Sequence, residues 1–219
     1  MKKVITEAEI LKLIKEGKKE LVLSKESILT PLAKDRVYHS DVKIVSESEK
    51  KNDSAATTTK SFSKSSKIAI GSDHTGYKIK EILKEFLKEK GYQTIDVGAY
   101  SEKAVDYPDS AIAVVQKVLS GEADFGILLD ATGIPSAITA NKFAGIRAAT
   151  CYNEFSARSS REHNNANIIV MGAKTLGEET IKGIMNTWLV SEFLGERHQK
   201  RLDKITAIEE KLIKNKNNL

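Results

Sequence analysis

The chain has 219 residues, 40% of them hydrophobic, and a net charge of +5, enough for one good-sized domain and a smaller module. No apolar run approaches the roughly 18 residues of a membrane span, the start MKKVITEAEI lacks the apolar core of a secretory signal, and the one cysteine, Cys151, excludes a disulfide framework or multi-cysteine metal site and points to the cytoplasm. The charge excess lies in residues 1–67, with 15 Lys and Arg against 10 Asp and Glu, while the rest balances 20 against 20; scattered lysines without interleaved aromatics argue against a nucleic-acid partner.

Residues 1–46 read as a small module. Thr6 and Glu9 have the spacing of a capping box, Ile5 and Ile10 that of its hydrophobic staple. Ile10, Leu13 and Ile14 then form an apolar stripe, and Gly17 can stop the helix. SILTPLAKD predicts a second short turn or helix. Such a stripe suits a docking element, a tiny self-packed domain or an arm folded back on the main core. Residues 47–66, SESEKKNDSAATTTKSFSKS, are polar and low in complexity. They carry too little apolar surface to offset ordering entropy and read as a flexible linker.

From residue 67 to 219, strand and helix patterns alternate. KIAIGSD, QTIDVG, FGILLD, GIRAATC and ANIIVMG are five short apolar runs. Between them lie GYKIKEILKEFLKEKG, a helix opened by Pro108 and closed near Gly121, PSAITANKF and SARSSREHN. Two helices, around 176–194 and 197–214, end the chain. The alternation predicts an α/β fold: a Rossmann-like three-layer sandwich, with a five-stranded parallel sheet between helices, plus the small N-terminal module. Ligands of such folds bind at the carboxyl ends of the strands, where Asp73, Asp130 and the loop after Met171 fall.

Taken singly, the motifs are ambiguous. GSDHTG, Gly71 to Gly76, joins the first strand to the first helix and suits an anion. It lacks the pattern of a nucleotide loop, and Asp73 could simply be a cap. In LLDATGIP, Asp130 could be a catalytic group, a phosphoacceptor or a cap. The phosphatase pattern is broken by Thr132 where a second Asp belongs. Arg197 and Arg201 in GERHQKR share one helix face, an arrangement that can grip a phosphate or merely face solvent.

Together and in order, GSDHTGYKIKE, VDYP, ATGI…ANKFAGIRAA, FSARSSREHNNAN and WLVSEFLGERHQKRLDKITAIEE closely resemble the type B ribose-5-phosphate isomerases and the related galactose-6-phosphate isomerase subunits. The likeness covers about 150 residues from Lys67 onward. It implies aldose–ketose isomerisation of a sugar phosphate, ribose 5-phosphate first, without metal or organic cofactor. It implies a homodimer or dimer of dimers with shared active sites. Asp73 and His74 would contact the sugar and its phosphate end, and Tyr107 would line the sugar. His163, with Asn164 beside it, would help open the furanose ring. Arg197 and Arg201 would hold the phosphate from the neighbouring subunit. Lys174 stands where the family commonly has Arg. A Gly-rich loop, here Thr132 and Gly133, would supply donors to the enediolate. The family's loop reads C-G-T-G-I-G, with the cysteine as base; this chain has Asp130-Ala131-Thr132-Gly133-Ile134-Pro135. Relatives without the cysteine use a Glu at the position of Ser136. Asp130 is therefore the candidate base, and Pro135 takes one amide donor from the loop. A degenerate, non-catalytic homologue is the alternative. Cys151 lies away from the base position and reads as a buried structural thiol. The stretch VITEAEI…GKKELVL…ILTPLAKDRV resembles short modules on enzymes housed in bacterial microcompartments. That likeness implies docking to a shell or to co-encapsulated enzymes.

Overall fold

The structure, a computed structural model, describes residues 4–17, 20–23, 27–38, 40, 42–46, 61–63 and 65–216. The chain forms two compact units, Met1–Thr58 and Thr59–Leu219.

The first unit repeats one pattern. β1 (Val4–Ile5), α1 (Glu7–Lys15) and β2 (Glu20–Leu23) are followed by β3 (Ile28–Leu29), α2 (Pro31–Tyr38) and β4 (Lys43–Ser46). β1 pairs in parallel with β3, and β2 with β4. Thr6 and Thr30 occupy the same place in the two halves. The Thr6 N–H donates to Glu9 at 2.8 Å, and the Ala33 N–H donates to Thr30 Oγ1 at 3.3 Å. Ile5, Ile10, Leu21, Ala33 and Val42 form the unit's own buried core. Of the apolar stripe on α1, Ile10 is buried while Ile14 is exposed. Strands this short give no readable period, so the two parallel pairs were not expected from sequence.

The second unit is the expected parallel α/β sandwich. Its elements are β5 (Lys67–Ser72), α3 (Tyr77–Glu89), β6 (Gln93–Asp96), α4 (Tyr107–Leu119), β7 (Phe125–Asp130), α5 (Ile134–Ala140), β8 (Ala148–Thr150), α6 (Glu154–Glu162), β9 (Ile168–Gly172), α7 (Glu178–Val190) and α8 (Glu196–Lys216). The sheet order is β6-β5-β7-β9-β8, all parallel. Successive strand residues alternate between two cores. Ile68, Ile70, Ile127, Leu129, Ile169 and Met171 pack with Leu83, Ala157, Ile181 and Trp188 from α3, α6 and α7. Ala69, Leu128, Ile168 and Val170 pack with Ala111, Val114, Ala137 and Ala140 from α4 and α5. With both faces covered, the strands read as unbroken apolar runs, which is why they were visible in the sequence. Each fully buried Leu or Ile contributes about 1.5–3 kcal/mol.

The strand order reverses between β5 and β7, so a crevice opens at their carboxyl ends. Gly76 lets the start of α3 approach that point. A Cβ there would lie 2.8 Å from the Leu129 carbonyl oxygen.

Residues 47–60 and 64 of the expected linker lie outside the described residues. Its remaining residues are ordered against the domain. Phe62 stacks on Phe125 with centroids 3.7 Å apart and meets Trp188 edge-on at 4.8 Å. The Arg161 guanidinium sits over the Phe62 and Phe125 rings at 5.5 and 4.9 Å. Domain packing thus begins at Phe62, ahead of the first strand. A chain starting at residue 61 is expected to melt as the intact domain does. Phe62→Ala should cost about 2 kcal/mol, or roughly 4–8 °C in Tm by calorimetry. An unchanged Tm for Phe62→Ala would show the aromatic contact to be idle.

Candidate functional site

The carboxyl ends of β5, β7 and β9 bring one group of the expected residues together. The Asp73 N–H donates to the Leu129 carbonyl at 3.0 Å, and the Lys174 N–H to the Ala131 carbonyl at 3.0 Å. Asp73 is buried, and its Oδ1 accepts from the Thr75 N–H, the Thr75 hydroxyl and the Gly76 N–H at 2.8, 2.6 and 3.0 Å. It therefore shapes the turn into α3, as an Asx cap does. The Lys174 and Tyr107 side chains are exposed.

The loop after β7 is organised by one carboxylate. Asp130 is 1% exposed. Its Oδ1 accepts from the Gly133 N–H at 2.6 Å and the Thr132 N–H at 2.9 Å. Its Oδ2 accepts from the Ser136 N–H at 3.1 Å. The Ile134 N–H goes to Thr132 Oγ1 at 3.3 Å, and Pro135 has no N–H to give. From residue 132 to 136, every amide hydrogen is thus taken inside the loop. The resemblance implies that this loop supplies amide donors to the enediolate; here the Thr132 and Gly133 amides are bonded to Asp130. Gly133 has a φ of +79°, and a Cβ on it would come within 3.1 Å of Gly172 N and Thr150 Cγ2. Thr150 Oγ1 closes the loop by donating to the Gly133 carbonyl at 2.8 Å. The loop is clamped between β8 and β9, with little room for a side chain at Gly133.

His74 is set by the segment after β6. Its Nδ1 lies 3.2 Å from the Val105 carbonyl oxygen and 3.4 Å from the Val105 amide nitrogen. That segment is pinned at its other end. The Gly98 carbonyl accepts from the Ser72 N–H at 2.7 Å, and the Ala99 N–H returns a bond to the Ser72 carbonyl at 2.8 Å. Asp96 Oδ1 accepts from the Gly98 N–H at 3.0 Å. Beneath it, Lys80 is fully buried on α3 and reaches both oxygens of Asp96 at 2.6 and 2.7 Å. Lys84 adds contacts of 2.6 Å to Asp96 and 2.9 Å to Glu81. Burial raises the Asp96 carboxyl, but the bonds from Lys80, Lys84 and the Gly98 N–H outweigh it and hold the group below its ordinary value. Glu81 is lowered in the same way, burial being outweighed by Lys84 and Lys80. The bond to Asp96, then that to Glu81, raises Lys84. Sequence reasoning passed over Lys80, because a lysine in KIKEILKEF looks like any solvated position of an amphipathic helix.

A second group gathers where α6 ends and α8 begins. His163 Nδ1 is 3.1 Å from Ser159 Oγ, and Asn164 Nδ2 donates to the Ser159 carbonyl at 3.1 Å. The His163 ring stacks on His198, another residue the sequence did not single out. Arg197 and Arg201 are exposed beside it. Asn164 also lines a cleft of about 390 Å³ with Asn141, Arg147, Leu202, Ile205 and Glu209. Among the described residues, no hydrogen bond or ring contact joins this group to the first.

Cys151 is buried, and burial pushes its thiol up to about 11, against weaker opposing bonds from Ser160 and Ser156. Thiolate chemistry at neutral pH is not available to it. Among the described residues, no cluster of three or more His, Cys, Asp or Glu could hold a metal ion, and no helix is long and apolar enough to cross a membrane.

Removing Lys80 would leave the part-buried Asp96 with Lys84 and the Gly98 N–H alone. Lys80→Met is expected to cost about 3 kcal/mol in a denaturant titration. Asp96 and Glu81 both lie below their ordinary values. Their stabilisation is therefore complete above about pH 5 and is lost as pH falls through the lowered folded values. Asp96→Asn should flatten that acid dependence; a wild-type-like acid slope in the variant would contradict the assignment.

Residues 68–205 match the family model described as Ribose/Galactose Isomerase. Ribose-5-phosphate isomerase B of Escherichia coli is 44% identical over 145 residues, which is 66% of this chain and 97% of that protein. Galactose-6-phosphate isomerase subunit LacA of Streptococcus mutans is 39% identical over 141 residues, 64% of this chain and 98% of that one. The solved structure of Clostridium thermocellum ribose-5-phosphate isomerase B superposes with a TM-score of 0.66 at 49% identity, covering 67% of this chain and 99% of that one.

Proposed function

Because the chain belongs to the Ribose/Galactose Isomerase family, we propose that it interconverts an aldose phosphate and a ketose phosphate, with ribose 5-phosphate and ribulose 5-phosphate as the preferred pair. The observation that carries this is the convergence of Asp73, the Asp130–Ser136 loop and the Lys174 backbone at the strand-order reversal. Aldose–ketose exchange needs a base that takes a proton from the carbon beside the carbonyl and returns it to the neighbouring carbon. It also needs donors for the enediolate between the two steps. Asp130 is the carboxylate at the base position. Its Oδ2 accepts one backbone bond and keeps a lone pair. His163 handles the proton of ring opening, Asn164 lies beside it, and Arg197 with Arg201 holds the phosphate. Asp73, His74, Tyr107, Thr132, Gly133 and Lys174 surround the sugar.

The chain is proposed to act as a homodimer in which one subunit completes the other's site. α8 leaves Ile205, Ile208, Leu212 and Ile213 exposed at helical spacing, an apolar stripe suited to burial against a second copy.

One observation favours a second reading. The amides of Thr132, Gly133 and Ser136 all end on Asp130, so the loop already holds an anion of its own. On this reading the chain binds sugar phosphates without turning them over. An assay with ribose 5-phosphate separates the two. Turnover by the wild type, lowered at least about a hundredfold in Asp130→Asn, is expected. Equal turnover in the variant would remove Asp130 from the proton transfer. Binding without turnover across pentose and hexose phosphates would favour the second reading.

The first unit is proposed to be the docking module of an encapsulated enzyme, joined to the isomerase domain by the linker of residues 47–66. Its separate core supports an autonomous role. Deleting residues 1–60 is expected to leave isomerase activity intact and to abolish co-localisation with a microcompartment shell. Retained co-localisation would sink the idea.

A further inference from the structure

His198 lies between the two arginines of GERHQKR, yet the reading above gives it no task. It is 4% exposed. Its ring is parallel to that of His163, with centroids 4.3 Å apart and planes 3° from coincident. Arg197 Nε donates to His198 Nε2 at 3.3 Å, so the ring hydrogen belongs on Nδ1. That Nδ1 is buried and has no hydrogen-bond partner among the described residues. A buried polar atom without a partner is a standing cost, and this one is tolerated where the ring meets a functional imidazole face to face.

Two stacked imidazoles at this distance can share one positive charge but not two. Burial, then the charges of His163, Arg197 and Arg201, push the His198 imidazole down, against the opposing charge of Glu196. The neutral form of His198 is thereby favoured. A neutral aromatic face stabilises a cation lying over it.

We propose that His198 is a positioning residue for His163: its neutral ring fixes the plane of the His163 imidazole and supports the positive charge His163 acquires in ring opening. In that step His163 accepts the proton of the anomeric hydroxyl and returns it to the ring oxygen, as the carbon–oxygen bond of the ring breaks and the carbonyl forms. The inference rests on the role given to His163 above. Ser159 Oγ holds Nδ1 of His163 from the side, and His198 holds the ring from its face. Between them, two contacts define one orientation.

The test compares His163→Gln, His198→Leu and His198→Phe in the full chain with ribose 5-phosphate. Leu fills the space without a flat ring, whereas Phe restores the ring without the nitrogens. His198→Leu should lower kcat about tenfold or more with KM within about threefold of wild type, and His198→Phe should recover most of the loss. Equal kcat in all His198 variants, or equal losses in Leu and Phe, would overturn the inference. Wild-type kcat in His163→Gln would instead overturn the role of His163. NMR gives a second readout that needs no turnover. The His163 ring protons should carry an upfield ring-current shift in wild type and His198→Phe that disappears in His198→Leu. The same shifts in all three proteins would rule the stack out in solution.

Discussion

The carboxylate of Asp130 is the contact around which the rest of the site is arranged. It ends β7, the central strand of the sheet, and gathers three amide hydrogens from the next six residues. Those bonds set the left-handed turn at Gly133 and the start of α5. The same turn lets Thr150 and the chain after β9 close over the loop. A charge-assisted bond to a backbone amide is stronger than a neutral one, and three of them converge on one side chain. The geometry thus fits a cap and a catalytic group equally in position, and differs between them only in where the remaining lone pair can reach.

Around that loop, the candidate site residues rest on two different supports. Asp73 and the Asp130 loop are strand-end features, tied to the sheet through backbone bonds to Leu129, Asp130 and Ala131. His163 and Arg197 are helix-end features, both in side-chain contact with His198, and Arg201 follows one turn along α8. The first kind is rigid because its backbone is in the hydrogen-bond ladder of a doubly covered sheet. The second is only as rigid as the side-chain packing at the α6–α8 junction, where a stacked ring and a Ser hydroxyl do the holding. The Lys80–Asp96 pair gives His74 an intermediate degree of support, through a segment anchored from below.

What could be read from sequence follows from which interactions are local. The five strands of the second unit were visible because burial on both faces makes them plain apolar runs. Its helices were visible because their apolar residues recur at helical spacing between stops such as Gly91 and Gly121. The capping partner of Thr6 was visible because it lies three residues away. The strands of the first unit were not, since two to four residues carry no period. Phe62 was hidden by its polar surroundings, and the burial of Lys80 by the ordinary look of its helix. The stacking of His198 depends on α8 returning to the end of α6, which no local pattern encodes. Asp130 is the mixed case. Its position and its three possible roles, a cap among them, were readable, but not that both of its oxygens would be engaged by three amides of the loop.

The packing around Arg161 gives the protein a built-in optical reporter. Trp188 is the one tryptophan of the chain. It is fully buried, with Phe62 on one edge and Phe125 on another. Its fluorescence therefore senses, without any added label, whether the segment leading into the domain is seated. Because Trp188 also packs in the core on the sheet, its emission reports the seating of Phe62 and the integrity of that core together, in the native sequence.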